Sequence, residues 1–206
     1  MHMDIPPIIY GTAWKKERTK ELVIQAVNAG FRGIDTACQP KHYHEAGVGD
    51  ALAALREQGI QREELYVQTK FTPVAGQDPD TIPYDKEAPP AEQVEQSFAA
   101  SQKNLRSDYV DALVLHTPLF PFSHLLSVWR AMEKIQKSGG ARQLGISNCY
   151  DLAVLKRLYS EAGVKPFGQF RGGGAGRKGQ QDQRGPDHRD STSRSPAISI
   201  RAKRPR

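Results

Sequence analysis

The sequence of 206 residues is poor in cysteine and has no long apolar run and no leader-like segment. Its two cysteines, Cys38 and Cys149, cannot form a disulfide framework, so free thiols and a cytoplasmic location are predicted. No stretch of about 18 apolar residues is present, which argues against a transmembrane helix and a membrane partner. The opening MHMDIPPIIYG lacks a charged segment followed by an apolar one, so no signal peptide is predicted.

The net charge of +6 is unevenly distributed along the chain. Residues 171–206 carry ten Lys or Arg against three Asp, whereas the first 170 residues carry nineteen basic and twenty acidic side chains. The body is therefore nearly neutral, which weakens the nucleic-acid interpretation that a basic protein invites. The last residues are poor in apolar side chains, so a folded domain is predicted over 1–168 and a disordered basic tail over 169–206.

Short apolar runs alternate with helical patterns through the body of the chain. Strands are predicted at residues 8–10, 31–37, 65–71, 109–115 and 141–147. Helices are predicted at residues 17–29, 48–58, 91–105, 124–137 (with Ser123 as cap) and 152–161, and a long loop at residues 73–90. This βα alternation predicts parallel strands in an α/β fold.

Two architectures use this alternation, the doubly wound sheet and the (β/α)8 TIM barrel. The first strand is followed by Gly11-Thr12-Ala13-Trp14, without the G-x-G-x-x-G loop of dinucleotide-binding sheets, and this favours the barrel. A complete barrel typically takes about 250 residues. Five units therefore predict an incomplete barrel that is truncated at its C-terminal side.

Polar side chains follow successive predicted strands where barrel enzymes place their active sites. Asp35, Lys70 and His116 end strands two, three and four, Ser147 and Asn148 end strand five, and Tyr43 lies in the loop after strand two. A lysine near a tyrosine hydroxyl lowers the tyrosine pKa from about 10, and the pair suits protonation of a developing alkoxide while a cofactor delivers hydride. Each residue alone has an ordinary structural explanation, and the conjunction carries the hypothesis.

Two other kinds of site are weaker interpretations. His42 and His44 invite a metal site, but a lone i, i+2 pair without a convincing third ligand argues against one. The segment Arg171-Gly172-Gly173-Gly174 resembles an RNA-binding RGG element, but it occurs once and has no interleaved aromatic residues. Neither a metal nor a specific nucleic-acid partner is therefore predicted, and the sequence does not indicate an oligomeric state.

Several segments in a fixed order resemble the aldo-keto reductase family. They are residues 30–37 (GFRGIDTA), Tyr43, 47–52 (GVGDAL), 67–70 (VQTK), 108–116 (DYVDALVLH) and 139–148 (GGARQLGISN). The resemblance covers roughly residues 8–165, and several motifs in order are more specific than any one of them.

The resemblance implies an NADP(H)-dependent oxidoreductase that reduces an aldehyde or ketone on a (β/α)8 barrel. By this resemblance Tyr43 is the proton donor, Lys70 its pKa partner, Asp35 the carboxylate paired with Lys70, and His116 the residue that orients the carbonyl. It further assigns Ser147 and Asn148 to the nicotinamide carboxamide, Thr12 and Asp35 to the cofactor ribose, and Trp14, His116 and the 73–90 loop to the substrate.

The sequence departs from the family pattern in two places. The gap between Asp35 and Tyr43 is longer than usual, as if residues 38–42 were a small insertion. The family's cofactor-phosphate motifs have no counterpart, and Gln169 only faintly matches the entry to strand six. An inactive fragment that retains the catalytic residues but not the cofactor is therefore the main alternative, and RNA binding through the tail is a weaker one.

Overall fold

The computed structural model describes residues 5–167 and the backbone of residues 169–170. Its six strands form one parallel sheet in which every strand pairs with its sequence neighbours, in the order β1-β2-β3-β4-β5-β6. The strands are β1 (Ile9–Gly11), β2 (Gly33–Asp35), β3 (Tyr66–Phe71), β4 (Val110–Leu115), β5 (Ala141–Ser147) and β6 (Gln169–Phe170). A doubly wound sheet reverses its strand order at a switch point, so this unbroken order confirms the barrel-type prediction.

A helix follows each of the first five strands, which confirms the five predicted βα units. These are α1 (Thr19–Asn28), α2 (Glu45–Glu57), α3 (Pro90–Leu105), α4 (Phe122–Lys137) and α5 (Leu152–Glu161). The prediction that Ser123 caps α4 is wrong, because extended Pro121 precedes the helix and places Ser123 inside its first turn. None of the helices in the described residues is long and apolar enough to cross a membrane.

The two faces of β3 show how the barrel sorts its side chains. Val67 and Phe71 pack with the helices in the main core, around the fully buried Trp129 of α4. Tyr66 faces the other way, into a smaller cluster that includes Ile9 of β1. Since side chains alternate along a strand, Gln68 and Lys70 share the inner face with Tyr66. The sequence of β3 therefore places a polar pair inside the barrel at its carboxyl end.

The predicted domain boundary falls immediately before the last described strand. Gln169 and Phe170 pair with Ile146 and Ser147 of β5, just beyond the expected end of the folded domain at residue 168. Residues 171–206 lie outside the described part of the chain, and so do the predictions of a disordered tail and of an RNA contact at Arg171-Gly172-Gly173-Gly174. Those two remain predictions.

Candidate active site

A buried ion pair lies at the carboxyl ends of β2 and β3. The Lys70 ammonium donates to Asp35 Oδ1 over 2.6 Å and to the Thr36 carbonyl over 2.8 Å. Burial alone would lower the pKa of Lys70, but the charges of Asp35 and Tyr43 outweigh it, and the pKa is raised. Lys70 is therefore a permanently charged ammonium at neutral pH, held in place by the ends of two strands.

Tyr43 lies beside this ion pair. Its backbone N–H donates to the Gln39 carbonyl over 3.0 Å, so the segment that lengthens the gap from Asp35 folds back and returns Tyr43 to the site. Lys70 Nζ lies 4.9 Å from the centroid of the Tyr43 ring, and its positive charge acts on the tyrosine hydroxyl. The structure thus brings together three of the predicted residues, Asp35, Lys70 and Tyr43.

The direction of the Tyr43 pKa differs from the expectation. Burial raises the pKa of Tyr43, and the positive charge of Lys70 offsets this only in part, while the negative charge of Asp35 adds to the rise. Lys70 lowers the pKa of Tyr43 as predicted, but burial, which the prediction ignored, has the larger effect, so the net change is a rise. At neutral pH Tyr43 keeps its proton.

His116 joins the same site from the end of β4. Its ring and the Tyr43 ring meet edge to face, with centroids 6.3 Å apart. His116 Nδ1 is 2.8 Å from the hydroxyl of Thr72, the second residue after Lys70. Burial, together with the positive charges of Lys70 and His42, lowers the pKa of His116 to about 3. His116 is therefore a neutral imidazole throughout the physiological range.

Ser147 and Asn148 lie at the end of β5 on the same edge of the sheet. Asn148 takes up a left-handed backbone conformation (φ 52°), which asparagine tolerates better than most residues. Its amide donates to the His116 carbonyl over 2.9 Å and accepts from the Tyr150 hydroxyl over 3.0 Å. The predicted carboxamide-binding residue is therefore adjacent to the predicted carbonyl-orienting residue.

Thr12 and Trp14 take different positions in the loop after β1. Thr12 is fully buried, and its hydroxyl and N–H both donate to the Asp35 carbonyl over 2.9 and 3.0 Å. Trp14 is exposed, and its ring packs on His42 with centroids 4.0 Å apart. Thr12 thus supports the strand end that carries Asp35, and Trp14 forms the rim of the site with His42.

The two histidines of the metal interpretation have separate surroundings. The ring of His42 lies against Trp14, whereas His44 Nδ1 is 3.1 Å from the Lys16 carbonyl. Among the residues that the structure describes, no group of three His, Cys, Asp or Glu side chains is placed to hold a metal ion.

Gln68 and Glu45 support the site and were missed from the sequence. Gln68 donates to Asp35 Oδ1 over 2.6 Å, the same oxygen that accepts from Lys70. Gln68 lies two residues before Lys70, and this spacing, which is visible in the sequence, places both side chains on the same face of the strand.

Glu45 is a buried carboxylate on the helix side of β3, two residues after Tyr43. It accepts hydrogen bonds from Thr69 over 2.5 Å and from Ser101 and Asn104 of α3 over 3.0 to 3.1 Å. Burial raises the pKa of Glu45, while these donors oppose the rise. Glu45 thus joins the start of α2, which follows Tyr43, to the strand residue that precedes Lys70.

The family model described as Aldo/keto reductase family matches residues 7–168 of the chain. Methylglyoxal reductase DkgA from Salmonella typhimurium is 32% identical over 155 residues, which cover 74% of this chain and 49% of that protein. Glyoxal reductase from Bacillus subtilis is 31% identical over 147 residues, covering 71% of this chain and 46% of that protein. The chain thus spans about half the length of the curated relatives it matches.

Solved structures resemble the chain over a similar extent. An aldo/keto reductase from Brucella melitensis superposes with a TM-score of 0.64 at 30% identity, covering 81% of this chain and 58% of that one. An aldo-keto reductase from Bombyx mori in complex with NADP gives a TM-score of 0.67 at 28% identity, covering 81% of this chain and 54% of that one. The strand order and these likenesses agree on the barrel-type fold.

Proposed function

The chain belongs to the aldo/keto reductase family, and from this premise we propose that its carboxyl-end site reduces a small aldehyde or ketone to an alcohol with NADPH. The observation that carries the proposal is the Asp35–Lys70 ion pair beside Tyr43, whose ring centroid lies 4.9 Å from Lys70 Nζ, with His116 packed against Tyr43. A protonated tyrosine, a fixed cation and a neutral imidazole together suit a carbonyl oxygen that gains negative charge and then a proton.

Each side chain has a distinct part in the proposed reaction. NADPH, when bound, would supply the hydride for the carbonyl carbon. Tyr43 gives its hydroxyl proton to the carbonyl oxygen, so that the C=O double bond becomes a C–O single bond with one new C–H and one new O–H bond. Lys70 stabilises the phenolate left behind, and Asp35 holds the ammonium in place. His116 orients the carbonyl oxygen beside Tyr43.

The nicotinamide end of the cofactor fits the residues after β5. Asn148 carries both a donor and an acceptor, which a carboxamide requires, and it lies directly beside His116. We propose Asn148 and Ser147 for the carboxamide, with Asp35 and Thr12 near the ribose. The buried Thr12 hydroxyl already donates to Asp35, so we expect Thr12 to act by fixing that strand end. No described residue is assigned to the cofactor phosphates.

The substrate class follows the chemistry of the site and the names of the relatives. Two of them are a methylglyoxal reductase and a glyoxal reductase. We propose a small carbonyl compound for this chain, bordered by Trp14, His116 and the loop at 73–90. A cytoplasmic location and the absence of membrane and nucleic-acid partners stay part of the proposal.

The test combines cofactor binding with turnover on the full chain. NADPH fluorescence is titrated with protein, and NADPH oxidation is then followed with methylglyoxal as the probe substrate. We expect saturable binding in the full chain and in Tyr43→Phe, with turnover reduced about 10²- to 10⁴-fold in Tyr43→Phe alone. Tyr159→Phe, an exposed tyrosine on α5, is the matched control. Absence of binding at millimolar NADPH would favour the inactive-fragment alternative, and undiminished turnover in Tyr43→Phe would exclude Tyr43 as the proton donor.

A further inference from the structure

We propose that Thr72 is a positioning residue that fixes the tautomer of His116, so that Nε2 carries the ring hydrogen and donates it to the carbonyl oxygen of the substrate. The proposal rests on the proposed carbonyl reduction and adds the residue that prepares its hydrogen-bond donor. The carrying observation is a contact between side chains 44 residues apart in sequence, Thr72 Oγ1 and His116 Nδ1, at 2.8 Å.

Only one hydrogen can lie between these two atoms, and two arrangements are possible. In one, Nδ1 carries the hydrogen and the threonine oxygen accepts it, which leaves Nε2 as an acceptor. In the other, the hydroxyl donates to Nδ1, and the hydrogen of a neutral ring is on Nε2. Only the second arrangement gives a carbonyl oxygen a donor.

The surroundings of Thr72 select the second arrangement. Its side chain is buried, with the residue 2% exposed. Within the described part of the chain, His116 Nδ1 is the acceptor that the structure places beside this hydroxyl. A hydrogen on Nδ1 would leave the hydroxyl hydrogen buried without an acceptor, which is unfavourable. The hydroxyl therefore donates to Nδ1.

The ring carries a single hydrogen, so its location matters. Lys70 and His42 both disfavour an imidazolium at His116, and the neighbouring Tyr43 keeps its proton and adds no charge. A neutral imidazole without the Thr72 contact would populate both tautomers. The Thr72 contact removes that freedom, and the ring needs no reorganisation when substrate binds.

Thr72 itself is held tightly by the loop that follows β3. Its carbonyl accepts from the Tyr84 hydroxyl over 2.7 Å and from the Gln77 amide over 3.2 Å, and the same amide reaches the Cys38 carbonyl over 2.9 Å. A Cβ atom on Gly76 would lie 2.8 Å from Thr72 Cγ2, so only glycine lets the loop close onto this side chain. The loop thus fixes Thr72, and Thr72 fixes His116.

The experiment reads the tautomer directly in the full chain. Protein labelled with ¹⁵N-histidine is examined at neutral pH by two-bond ¹H–¹⁵N correlation, and His116→Asn identifies the His116 resonances. We expect an Nε2–H tautomer in the unmodified chain and in Thr72→Ser, and a mixture of both tautomers in Thr72→Val. Thr72→Ala is the second hydroxyl-free variant should Thr72→Val not fold.

The opposite results would overturn the proposal. These are an Nδ1–H tautomer or an imidazolium in the unmodified chain, or an unchanged tautomer in the hydroxyl-free variants. Turnover of methylglyoxal adds a second arm, with kcat/KM reduced about tenfold in Thr72→Val and restored in Thr72→Ser. A chain without any reductase activity would defeat the proposed function, whereas the tautomer measurement would still decide the role of Thr72.

Discussion

The two ends of the barrel each bury an aspartate among cations, but with different partners. At the carboxyl end Asp35 meets Lys70 over 2.6 Å, and Lys70 in turn touches the titratable Tyr43. At the amino end Asp111 meets Arg62 over 2.9 Å and Arg142 over 2.7 Å. Lysine can release its proton when buried, whereas arginine remains charged in proteins. The carboxyl end thus combines side chains that can titrate, Lys70 and Tyr43, whereas the cations of the amino end keep their charge.

The Asp111 carboxylate of the amino-end cluster is engaged through both of its oxygens. Both oxygens of Asp111 are used by the two arginines, and Oδ2 also accepts the Val67 N–H over 2.9 Å. Both guanidinium groups lie 4.3 Å from the centroid of the Tyr109 ring. This arrangement joins the starts of β3, β4 and β5. Since residues on this face of a barrel serve stability, we infer that the cluster stabilises the fold.

The largest expected effect is loss of stability on Asp111→Ala. The substitution leaves two arginines and a strand N–H without their buried partner. We expect the free energy of unfolding in urea to fall by about 3–5 kcal/mol. A loss below about 1 kcal/mol would show that water solvates the two arginines once Asp111 is removed, and that the amino-end cluster contributes little to stability.

Asp35→Asn is expected to give a smaller loss that depends on pH. Asp35 raises the pKa of Lys70, so in the unmodified chain this pair's stabilisation is present below about pH 10.4, the unfolded value, and is lost above it. Without the carboxylate, burial lowers the pKa of Lys70, and the native state then loses stability as the pH falls below about 10.

Urea unfolding at pH 7 and pH 9.5 separates the two ends. We expect Asp35→Asn to lower the free energy of unfolding at pH 7 and to lower it less at pH 9.5, because the neutral lysine that burial favours is then more populated in the unfolded chain too. Asp111→Asn is the matched control, and its cost should be the same at both values because arginine does not titrate. Equal pH responses of the two variants would remove the distinction between the ends.

The same contrast shows what the sequence was able to predict. The strands were predicted because apolar, β-favouring runs such as residues 65–71 and 109–115 need only local information. Asp35, Lys70 and His116 were found because their place at successive strand ends is visible in the chain. Tyr43 came from the family resemblance.

The supporting contacts were out of reach of the sequence. Gln68 touches Asp35, Glu45 touches Thr69, and Thr72 touches His116, at separations of 33, 24 and 44 residues. Such pairs depend on how the elements pack. The raised pKa of Tyr43 was missed for the same reason, since burial depth is a property of the folded chain.

At the carboxyl end, His116 is expected to have a smaller effect on stability than Asp35. Its pKa in the folded chain is about 3, and the unfolded value is about 6.5. Between these values the unfolded chain takes up a proton that the native ring refuses, so stability falls as the pH falls. We expect urea unfolding to show a loss of about 1.6 kcal/mol from pH 6.5 to 5 that His116→Asn lacks. Identical pH profiles of the two proteins would mean that His116 is protonated in the native state.

The smallest expected effect on stability comes from an exposed ion pair near the amino end. Arg106 and Asp50 join the end of α3 to α2, and both side chains are exposed. Exposed pairs contribute little because water screens the attraction, so Asp50→Ala should cost at most about 0.5 kcal/mol and even less in 1 M salt. Asp111→Ala should lose nearly as much stability in 1 M salt as in dilute buffer, because a buried pair is poorly screened. If Asp50→Ala lowered the free energy of unfolding as much as Asp111→Ala, burial would not determine how much an ion pair contributes to stability. The expected difference in unfolding free energy between the two variants means that the buried Asp111 carboxylate of β4, and not the exposed pair, stabilises the amino end.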